Sequence, residues 1–360
     1  MGIPSPAALG NADFAQKPVG SGPFMVQEWA AQDHLTLTRN PEYSWAPEFA
    51  THDGPALLDE VIFRFLPEPA TRLAALETGE AQVIEDPPAQ DASALIGSES
   101  YNVRTFSAPG MPAHLMINTQ KSPTDDLRVR QAIIYAINQD QIVQLGFNGL
   151  STAAHSVLSP TTPSYNEAAA ELYEYDPQKA MDLLEEAGWV DSDGDGVRDK
   201  DGEMLTLVYP ASPVYEAPYM ELVTAYLEDV GFNVELTTMD DAAIFEFAVT
   251  GDHNLVGMGW TSADPGVLSF VYHSDNIDGG SGFTRFVDEQ LDSDLTNATT
   301  ELDDEKRAEL YADAQQIIME NALAVPLHLY DRVMLMSTAV QGWRYDSEGY
   351  PWLYEISLSQ

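Results

Sequence analysis

The sequence contains no cysteine among its 360 residues. This absence excludes a disulfide framework, a thiolate metal site and a cysteine nucleophile, and it leaves the redox compartment of the protein open. Among the seven histidines, no two lie four residues apart and none belongs to an HExxH motif. A zinc or nickel site built from protein side chains is therefore not visible in the sequence.

Positive charge is scarce. Only 16 lysines and arginines stand against 58 aspartates and glutamates, which gives a formal net charge of -42 at pH 7. A surface of this sign repels nucleic acid and anionic lipid, so we expect neither as a partner. Because salt screens such self-repulsion, we interpret the acidic composition as a halophilic adaptation to brine, with an ordinary acidic protein as the alternative.

Long hydrophobic runs are also absent. No stretch approaches the roughly 20 apolar residues of a membrane-spanning helix, so we expect no membrane insertion of this chain. The first residues, MGIPSPAALGNADFAQ, lack the basic start and the apolar run of a secretory signal. Hydrophobic residues nevertheless make up 44% of the chain, enough to fill the cores of a globular protein with two domains.

The pattern of apolar residues predicts strands and helices in alternation. Early in the chain, KPVGSGPFMVQEW, HLTLTRNPEY and LLDEVIFRFLP predict three strands, and PEPATRLAALETGEAQVIED predicts a helix and a short strand. HLMINTQ predicts a further strand. Apolar residues from Val129 to Ile137 follow helical spacing and predict a helix within residues 123–143.

The second half of the chain predicts an α/β arrangement. Asp176 and Pro177 mark the start of a helix that ends at Gly188. MLTLVYP, APYMELVTAYLEDVG and FNVELTTM predict a strand, a helix and a second strand parallel to the first. TELDDEKRAELYADAQQIIMENAL predicts a long amphipathic helix, and AVPLHLYDRVMLMS and GWRYDSEGYPWLYEISL predict strands. The fold class that follows is α/β.

Seven stretches, taken in order, span nearly the whole chain and carry a family resemblance. They are VGSGPFMVQEW, LTRNPEYSW, LDEVIFRFLPEPATRLAALETGEAQVIED, HLMINTQKSPTDDLRVRQAIIYAINQDQIV, YDPQKAMDLLEEAGWVDSDGDGVRDKDGEMLTL, GWTSADPGVLSF and VPLHLYD. In their order and spacing they resemble the extracellular solute-binding proteins of family 5 of ABC transporters, the type that binds oligopeptides, dipeptides or nickel.

The resemblance implies a two-lobed α/β fold of the periplasmic-binding-protein type (type II, cluster C). In this fold we expect lobe one to comprise residues 1–125, lobe two residues 126–338, and residues 339–360 to return to lobe one. Members of the family usually have a longer N-terminal part before the VGSGPF turn, which begins here at residue 19. We therefore expect lobe one of this chain to be incomplete.

The resemblance also implies a function. A protein of this family is the substrate-binding component of an ABC importer, which binds a peptide-like solute between its lobes and delivers it to a membrane permease. It works in the periplasm or outside the cell, tethered to the membrane in its full-length form. Amino-sugars, oligosaccharides and metal chelates stay open as solutes.

We expect that the protein is not an enzyme. Two alternatives to the transport function stay open. One is a truncated homologue with esterase-like hydrolase activity, although GGSGF at residues 279–283 lacks the closing glycine of a G-x-S-x-G elbow. The other is a calcium-binding fragment without a transport role.

The stretch GMGWTSADPG supplies the first candidates for ligand binding. In the family the corresponding stretch ends a strand of lobe two, where an acidic residue meets a ligand's ammonium group, and Asp264 matches that position. Trp260 offers a flat apolar wall and a face for a cation. Core packing is the alternative for Trp260, and a turn before Pro265 is the alternative for Asp264. Strand ends add three further candidates: Tyr272, His273 and Asn118.

The loop WVDSDGDGVRDKDG matches part of the EF-hand template, whose carboxylate oxygens suit Ca²⁺. The candidate ligands are Asp191, Asp193, Asp195, Asp199 and the carbonyl of Val197. Gly202 stands where the template has its bidentate glutamate, a role that Glu203 or Asp201 would have to take instead. The alternative is a plain turn built from aspartate and glycine, which binds no metal. We expect that the protein requires no cofactor, and a structural Ca²⁺ in this loop stays possible.

Overall fold

The computed structural model describes residues 4–6, 8, 10, 13, 14 and 16–359. Several of the first sixteen residues, on which the predicted absence of a secretory signal depends, lie outside the described residues. The chain divides into two compact units. Unit 1 comprises residues 1–106 and 332–360, and unit 2 comprises residues 107–331. Unit 2 is therefore one continuous stretch inserted in the sequence of unit 1.

Strands and helices occur in both units, which confirms the predicted α/β class. The strands are β1 (Phe24–Ala30), β2 (His34–Arg39), β3 (Glu60–Arg64), β4 (Val83–Glu85), β5 (Tyr101–Ser107), β6 (Gly110–Ile117), β7 (Asp199–Lys200), β8 (Glu203–Met204), β9 (Thr206–Ala211), β10 (Asn233–Thr238), β11 (Leu255–Thr261), β12 (Ala324–His328), β13 (Asp331–Ser337), β14 (Val340–Gln341) and β15 (Ser357–Leu358). The helices are α1 (Pro69–Glu77), α2 (Ala89–Ala94), α3 (Leu127–Ala136), α4 (Gln139–Phe147), α5 (Glu167–Ala170), α6 (Pro177–Glu186), α7 (Met220–Asp229), α8 (Asp241–Thr250), α9 (Val267–Tyr272), α10 (Glu289–Thr300) and α11 (Asp304–Glu320).

Unit 1 contains two three-stranded sheets. The first has the order β1-β2-β3 with antiparallel pairing, which confirms the three strands predicted near the N terminus. The second has the order β4-β13-β5, so β13 from the end of the chain lies between two early strands. Leu335 of β13 lies opposite Ile84 of β4, and both pack against Leu76 of α1. This cluster joins the two separated parts of unit 1.

The central sheet of unit 2 has the order β11-β6-β12, and both pairings are antiparallel. Every residue of β6 is buried. Because side chains alternate along a strand, Leu115 and Ile117 pack in a cluster with α3 and α7, whereas Met116 packs with α9, α10 and α11. The sheet is thus covered on both faces, as expected for a strand that reads as a near-continuous apolar run.

The predicted parallel pair is confirmed. β9 pairs with β10 from Thr206↔Asn233 to Ala211↔Thr238, and α7 connects them. The caps predicted for α6 are also confirmed, because the Asp176 side chain accepts a hydrogen bond of 3.0 Å from the backbone N–H of Lys179. These two elements carry local signals, a cap and a strand–helix–strand pattern, that the sequence displays directly.

The helix predicted around Val129–Ile137 ends one residue early. Ile137 has an extended backbone, with φ −100° and ψ 126°, so its assignment to the helix is wrong. Asn138 then starts α4, because its side chain accepts a hydrogen bond of 2.9 Å from the N–H of Gln141. The apolar spacing continues through the break, which hides it from a periodicity argument.

The strand predicted for GWRYDSEGYPWLYEISL is wrong over most of its length. Among the described residues of this stretch, β15 is a two-residue strand paired with β14, and Leu353–Glu355 forms a 3-10 turn. Gly342 and Gly349 adopt φ values of 73° and 82°, which turn the chain back on itself. AVPLHLYDRVMLMS forms strands as predicted, but they are two strands, β12 and β13, in different sheets.

The unit boundaries fall elsewhere than the predicted lobe boundaries, which lay after residues 125 and 338. β6, predicted to belong to lobe one, pairs with β11 and β12 inside unit 2. The two ends of unit 2 lie side by side, because the N–H of Ala108 donates to the carbonyl of Tyr330 over 2.9 Å. The Ser107 hydroxyl also donates to the Asp331 carboxylate.

Candidate functional site

A cavity of about 460 Å³ opens in unit 2. Its volume lies within the range of small-molecule pockets. The loop that follows β9, the first half of α8 and residues 256–259 and 261 of β11 line it, together with Phe283 and Tyr330. The cavity is therefore built by segments that are far apart in the sequence.

The cavity lies where strands of unit 2 end. β9 ends at Ala211, and Ser212 follows it into the cavity. β10 ends at Thr238, and the helix that follows begins with Asp241. Because β9 and β10 are parallel, their carboxyl ends meet at one edge of the sheet, which is where α/β proteins bind ligands.

Glu216, a residue that is 4% exposed, supplies a buried carboxylate. The loop from Ser212 to Glu216 closes as a turn, so the Ser212 N–H donates to Glu216 Oε1 over 2.8 Å. The Tyr209 hydroxyl donates to Oε2. Burial raises the pKa of the Glu216 carboxyl above its ordinary value and the negative charge of Asp241 adds to the shift, while the two hydrogen bonds oppose it.

Ser212 connects the two acidic groups of the cavity. Its N–H donates to Glu216, and its hydroxyl donates to Asp241 Oδ1 over 2.6 Å. Asp241 itself is exposed in the first turn of α8, where a negative charge suits the helix dipole. The two carboxylates therefore face the same space and make it electronegative.

Two glycines of β11 make room for the polar groups of the cavity. A Cβ on Gly257 would lie 2.6 Å from the Glu216 carboxylate, and a Cβ on Gly259 would lie 2.1 Å from the Tyr330 hydroxyl oxygen. Both distances are far below van der Waals contact. Glycine at these two positions lets Glu216 and Tyr330 lie directly against the strand.

Aromatic rings form much of the remaining wall. Tyr215, Tyr219, Phe245 and Phe283 line the cavity with Tyr330. Burial raises the pKa of Tyr330 to about 12, and the nearby charge of Glu216 adds to the shift, so its hydroxyl stays protonated at neutral pH. In the part of the chain that the structure describes, no lysine or arginine lines the cavity. The site offers apolar surface, hydroxyl groups and negative charge.

Comparison with known proteins assigns this fold to a family. Residues 2–281 match the sequence profile described as "Bacterial extracellular solute-binding proteins, family 5 Middle". The chain belongs to this family. The match covers more than half of the chain, and it confirms the resemblance found in the sequence.

Individual proteins similar to this family 5 protein support the same assignment. The dipeptide-binding protein of Escherichia coli (strain K12) is 28% identical over 344 residues, which cover 92% of this chain and 58% of that protein. The DppA protein of Helicobacter pylori, solved in complex with the peptide STSA, is 26% identical with a TM-score of 0.71. That match covers 96% of this chain and 64% of DppA. The chain thus spans less than two thirds of the length of these relatives.

A third likeness concerns the fold alone. NikA from Brucella suis, solved in complex with Fe(III)-EDTA, has a TM-score of 0.85 at 23% identity. The match covers 99% of this chain and 72% of NikA. Together with DppA, it confirms that the family 5 protein has the predicted α/β fold of two-lobed periplasmic binding proteins.

The two main ligand-binding candidates lie outside the described lining of the cavity. Trp260 is 44% exposed on β11 and packs edge-on against Phe270, with ring centroids 4.9 Å apart. Both carboxylate oxygens of Asp264 accept hydrogen bonds from Arg307, over 2.8 and 2.9 Å, and one also accepts from the N–H of Gly266. Asp264 already has a cationic partner, and its contact with a ligand stays a prediction.

The three weaker candidates make contacts within unit 2. Tyr272 is 2% exposed, and its hydroxyl lies 3.2 Å from His114 Nε2. His273 Nε2 lies 3.1 Å from the Thr296 hydroxyl. Asn118 is fully buried, and its amide donates to two backbone carbonyls just before β11. The structure does not bring these three side chains to the cavity lining that it describes.

The aspartate loop lies between α6 and β7, on the surface of unit 2. One oxygen each of Asp191, Asp193 and Asp195 lies within 4.8 Å of the others, so three predicted ligands come together. The same carboxylates also serve the loop backbone. Asp191, for example, accepts from the N–H groups of Gly194 and Gly196 over 2.7 and 3.1 Å.

The other two predicted calcium ligands take different parts in this loop. The Asp199 carboxylate is outside the three-aspartate group and accepts from the N–H and hydroxyl of Ser192, over 3.1 and 2.5 Å. The N–H of Val197 donates to Asp195 over 2.8 Å. Gly202, with φ 86°, sits in the turn between β7 and β8. The template therefore stays incomplete at the position of its glutamate.

The sequence did not point to Glu216, Asp241 or Tyr330 as residues of the site. One signal was present, because glycines at alternate positions of VGMGW mark a strand that another group approaches closely. That signal does not say which group approaches. Glu216 and Tyr330 reach the strand from other parts of the chain, and nothing in their local sequence indicates it.

Proposed function

We propose that this family 5 protein is the substrate-binding component of an ABC importer. It binds a peptide-like solute and delivers it to a membrane permease. The observation that carries the proposal is the cavity at the carboxyl ends of β9 and β10, in a chain of a solute-binding family. The role is binding and not catalysis, in keeping with the binding proteins among its relatives. A chromogenic ester assay separates this role from the hydrolase alternative.

The solute is a short peptide. The E. coli relative binds dipeptides, and the H. pylori structure contains a peptide. The cavity combines apolar walls with hydroxyl and carboxylate groups, which suits a molecule with both alkyl and amide or amine parts. Amino-sugars, oligosaccharides and metal chelates are the competing solutes.

The two units contribute to the two lobes of the binding-protein fold, with unit 2 as most of lobe two. The site of action is the periplasm or the cell exterior, with a membrane tether in the full-length form. The family description, which calls its members extracellular, supports this location. In the part of the chain that the structure describes, none of the helices has the length and apolar character needed to cross a bilayer.

A thermal-shift experiment on the 360-residue chain tests the proposal. A ligand that binds only the folded state stabilises it by mass action, by about 2.7 kcal/mol at one hundred times its dissociation constant. We therefore expect short peptides to raise the melting temperature by about 5 °C. Oligosaccharides and metal chelates serve as parallel arms. A cooperative melt that no peptide moves contradicts the peptide proposal.

A structural Ca²⁺ in the aspartate loop is a second candidate, supported by the approach of Asp191, Asp193 and Asp195. The hydrogen bonds from these carboxylates to the loop backbone favour the plain turn instead. A Ca²⁺ arm in the same melting experiment, after treatment with a chelator, decides between them. A melting temperature that Ca²⁺ leaves unchanged removes the calcium hypothesis.

The acidic surface is an adaptation to high salt. The support is the net charge of -42, which an ion-rich solvent screens.

A further inference from the structure

We propose that the cavity of unit 2 takes a cationic group of the solute, an alkylammonium or guanidinium group, and pairs it with Glu216. The inference rests on the proposed solute-binding function and names the chemistry of the ligand. The cation can come from a peptide's N terminus or from a basic side chain, which present the same positive charge to the site.

The charge of the cavity favours a cation. Glu216 and Asp241 both face it, and Ser212 binds the two carboxylates from its N–H and its hydroxyl. In the described lining, no basic side chain offsets them. An anionic group such as a free carboxylate would meet two negative charges there, in a protein of net charge -42.

The Glu216 carboxylate retains capacity for a ligand. Each of its oxygens accepts one hydrogen bond from the protein, Oε1 from the Ser212 N–H and Oε2 from the Tyr209 hydroxyl. An ionised carboxylate has about four acceptor positions, so two remain. An ammonium or guanidinium group has only donors, which makes it the natural partner for these positions.

The walls around this carboxylate suit the rest of a cationic group. The rings of Tyr215, Phe245 and Tyr330 line the cavity. Aromatic faces attract cations through the ring quadrupole and also pack against the alkyl stem of a lysine or arginine side chain. A carboxylate with aromatic walls therefore fits an organic cation better than a small hydrated metal ion.

The pKa of Glu216 gives the binding a pH dependence. Asp241 and the hydroxyls of Tyr209, Tyr219 and Tyr330 are the titratable groups whose contacts or charges act on it. Burial raises the pKa of Glu216, so it takes up its proton at a higher pH than an exposed glutamate. A bound cation favours the ionised form. Affinity for a cationic ligand therefore falls as the pH falls through the pKa of Glu216.

Calorimetric titration of the wild-type chain with four tripeptides tests the proposal. Ala-Lys-Ala and Ala-Arg-Ala carry a side-chain cation, Ala-norleucine-Ala keeps only the N-terminal ammonium, and its N-acetylated form has no cation. We expect the removal of one of the two cations to weaken binding at least tenfold, since a desolvated charge pair contributes this much or more. A loss of affinity between the lysine or arginine peptide and the norleucine peptide identifies a side-chain cation. A loss of affinity on acetylation identifies the N-terminal ammonium group.

The Glu216→Gln variant completes a double-mutant cycle. It keeps the shape of the side chain and removes its charge, so the tenfold difference between the cationic and uncharged peptides should vanish. Glu246→Gln is the matched control, because Glu246 is an exposed carboxylate on α8 outside the described lining. We expect this control to bind every peptide as the wild type does.

The outcomes separate this inference from the proposed function. If peptides bind but loss of either cation changes affinity less than threefold, the inference is overturned and the peptide function stands. If Glu216→Gln weakens the binding of all four peptides equally, Glu216 is structural and the inference is also overturned.

The diamine 1,5-diaminopentane separates the two proposals further. If no peptide binds but this diamine does, and Glu216→Gln removes that binding, the cationic site stands and the peptide function fails. If neither peptides nor the diamine bind, both fail. Should Glu216→Gln not fold, the wild-type peptide series and its pH dependence decide.

Discussion

His114 is a titratable side chain enclosed within unit 2, on the central strand β6. Its Nδ1 lies 2.8 Å from the carbonyl of Pro112, which can only accept, so Nδ1 carries the proton. Nε2 then accepts from the Tyr272 hydroxyl over 3.2 Å. Complete burial disfavours the charged ring and lowers the pKa of His114 to about 4, although the bond to Pro112 opposes this.

This burial makes the stability of the protein sensitive to acid. Below pH 6.5 the unfolded chain protonates the histidine while the folded chain does not, so stability is lost as the pH falls from about 6.5 towards about 4. Between pH 7 and pH 5, His114 removes about 2 kcal/mol from the free energy of unfolding. Urea denaturation at pH 7 and at pH 5 measures this loss. In the His114→Gln variant, we expect the loss of unfolding free energy between the two pH values to be smaller by that amount.

His34 is the control for this prediction. Its pKa is raised by the hydrogen bond to Asp33, over 2.9 Å, so its stabilising contribution is present at low pH and lost as the pH rises. His34→Gln should therefore change the pH dependence in the opposite direction. Equal pH dependence in the wild type and His114→Gln would show that the buried ring does not act as described.

Single residues were predictable when their partners lie close by in the sequence. Asp176 caps α6 through an N–H three residues ahead, and the aspartates of the loop after α6 bond to N–H groups within a few positions. Glu216 could not be predicted, because its burial depends on Gly257 of a distant strand. For Asp264, the sequence offered a ligand contact or a turn, and Arg307 from α11 appears in neither expectation.

At the scale of elements, the antiparallel pair β6–β11 depends on the glycine that opens β6. Gly110 lies opposite Thr261 and has φ 104°, a conformation that other residues rarely adopt. A Cβ at this position would lie 2.2 Å from the carbonyl oxygen of Trp260 and 2.4 Å from the nitrogen of Ser262. Both obstacles are backbone atoms, which cannot move without breaking the pairing.

We expect Gly110→Ala to destabilise the protein by more than about 3 kcal/mol, since backbone strain and overlap act together. Gly279→Ala is the matched control, because Gly279 has φ 92° but no atom within 4 Å of an added Cβ. Its strain alone should cost about 1 kcal/mol. Urea denaturation measures the free energy of unfolding of the two variants. If both lose the same amount, overlap with the backbone of β11 does not contribute to the destabilisation.

Elements were predictable where a local signal is clear. α6 shows both a cap and apolar spacing, whereas α7, β9 and β10 follow the strand–helix–strand pattern without a side-chain cap on α7. The break at Ile137 was hidden because apolar spacing runs across it. In the last segment, aromatic and β-branched residues suggested a strand, but positive φ values at Gly342 and Gly349 produce turns. Aromatic and β-branched residues favour a strand because they fit a half-buried pleated surface, and a chain that reverses direction offers no such surface.

For the whole molecule, the net charge of -42 opposes compaction at low ionic strength. The Debye length falls from about 10 Å at 0.1 M salt to about 3 Å at 1 M, so added salt weakens this repulsion. We expect the urea midpoint to rise steadily between 0.1 M and 2 M NaCl. Sucrose, which stabilises proteins without screening charge, is the control additive. A midpoint that NaCl leaves unchanged would contradict the proposed adaptation to brine.

The architecture of the whole chain was predictable in class but not in detail. The order of family stretches indicated the α/β binding-protein fold, which the comparisons confirm. The lobe boundaries at 125 and 338 stay a prediction, whereas the unit boundaries fall at 106 and 331, because β6 joins a sheet with β11 and β12 and because β13 lies between β4 and β5. Pairing between strands far apart in sequence leaves no local pattern, and the cavity depends on the same pairing.

The meeting of the two ends of unit 2 has a consequence for protein engineering. The N–H of Ala108 and the carbonyl of Tyr330 are hydrogen-bonded neighbours, so a short linker can join the ends of residues 107–331 without stretching the chain. Unit 2 has its own hydrophobic clusters and the whole described lining of the cavity. These are the conditions under which circular permutation and domain transplantation succeed, and they make unit 2 a candidate for a portable sensor domain.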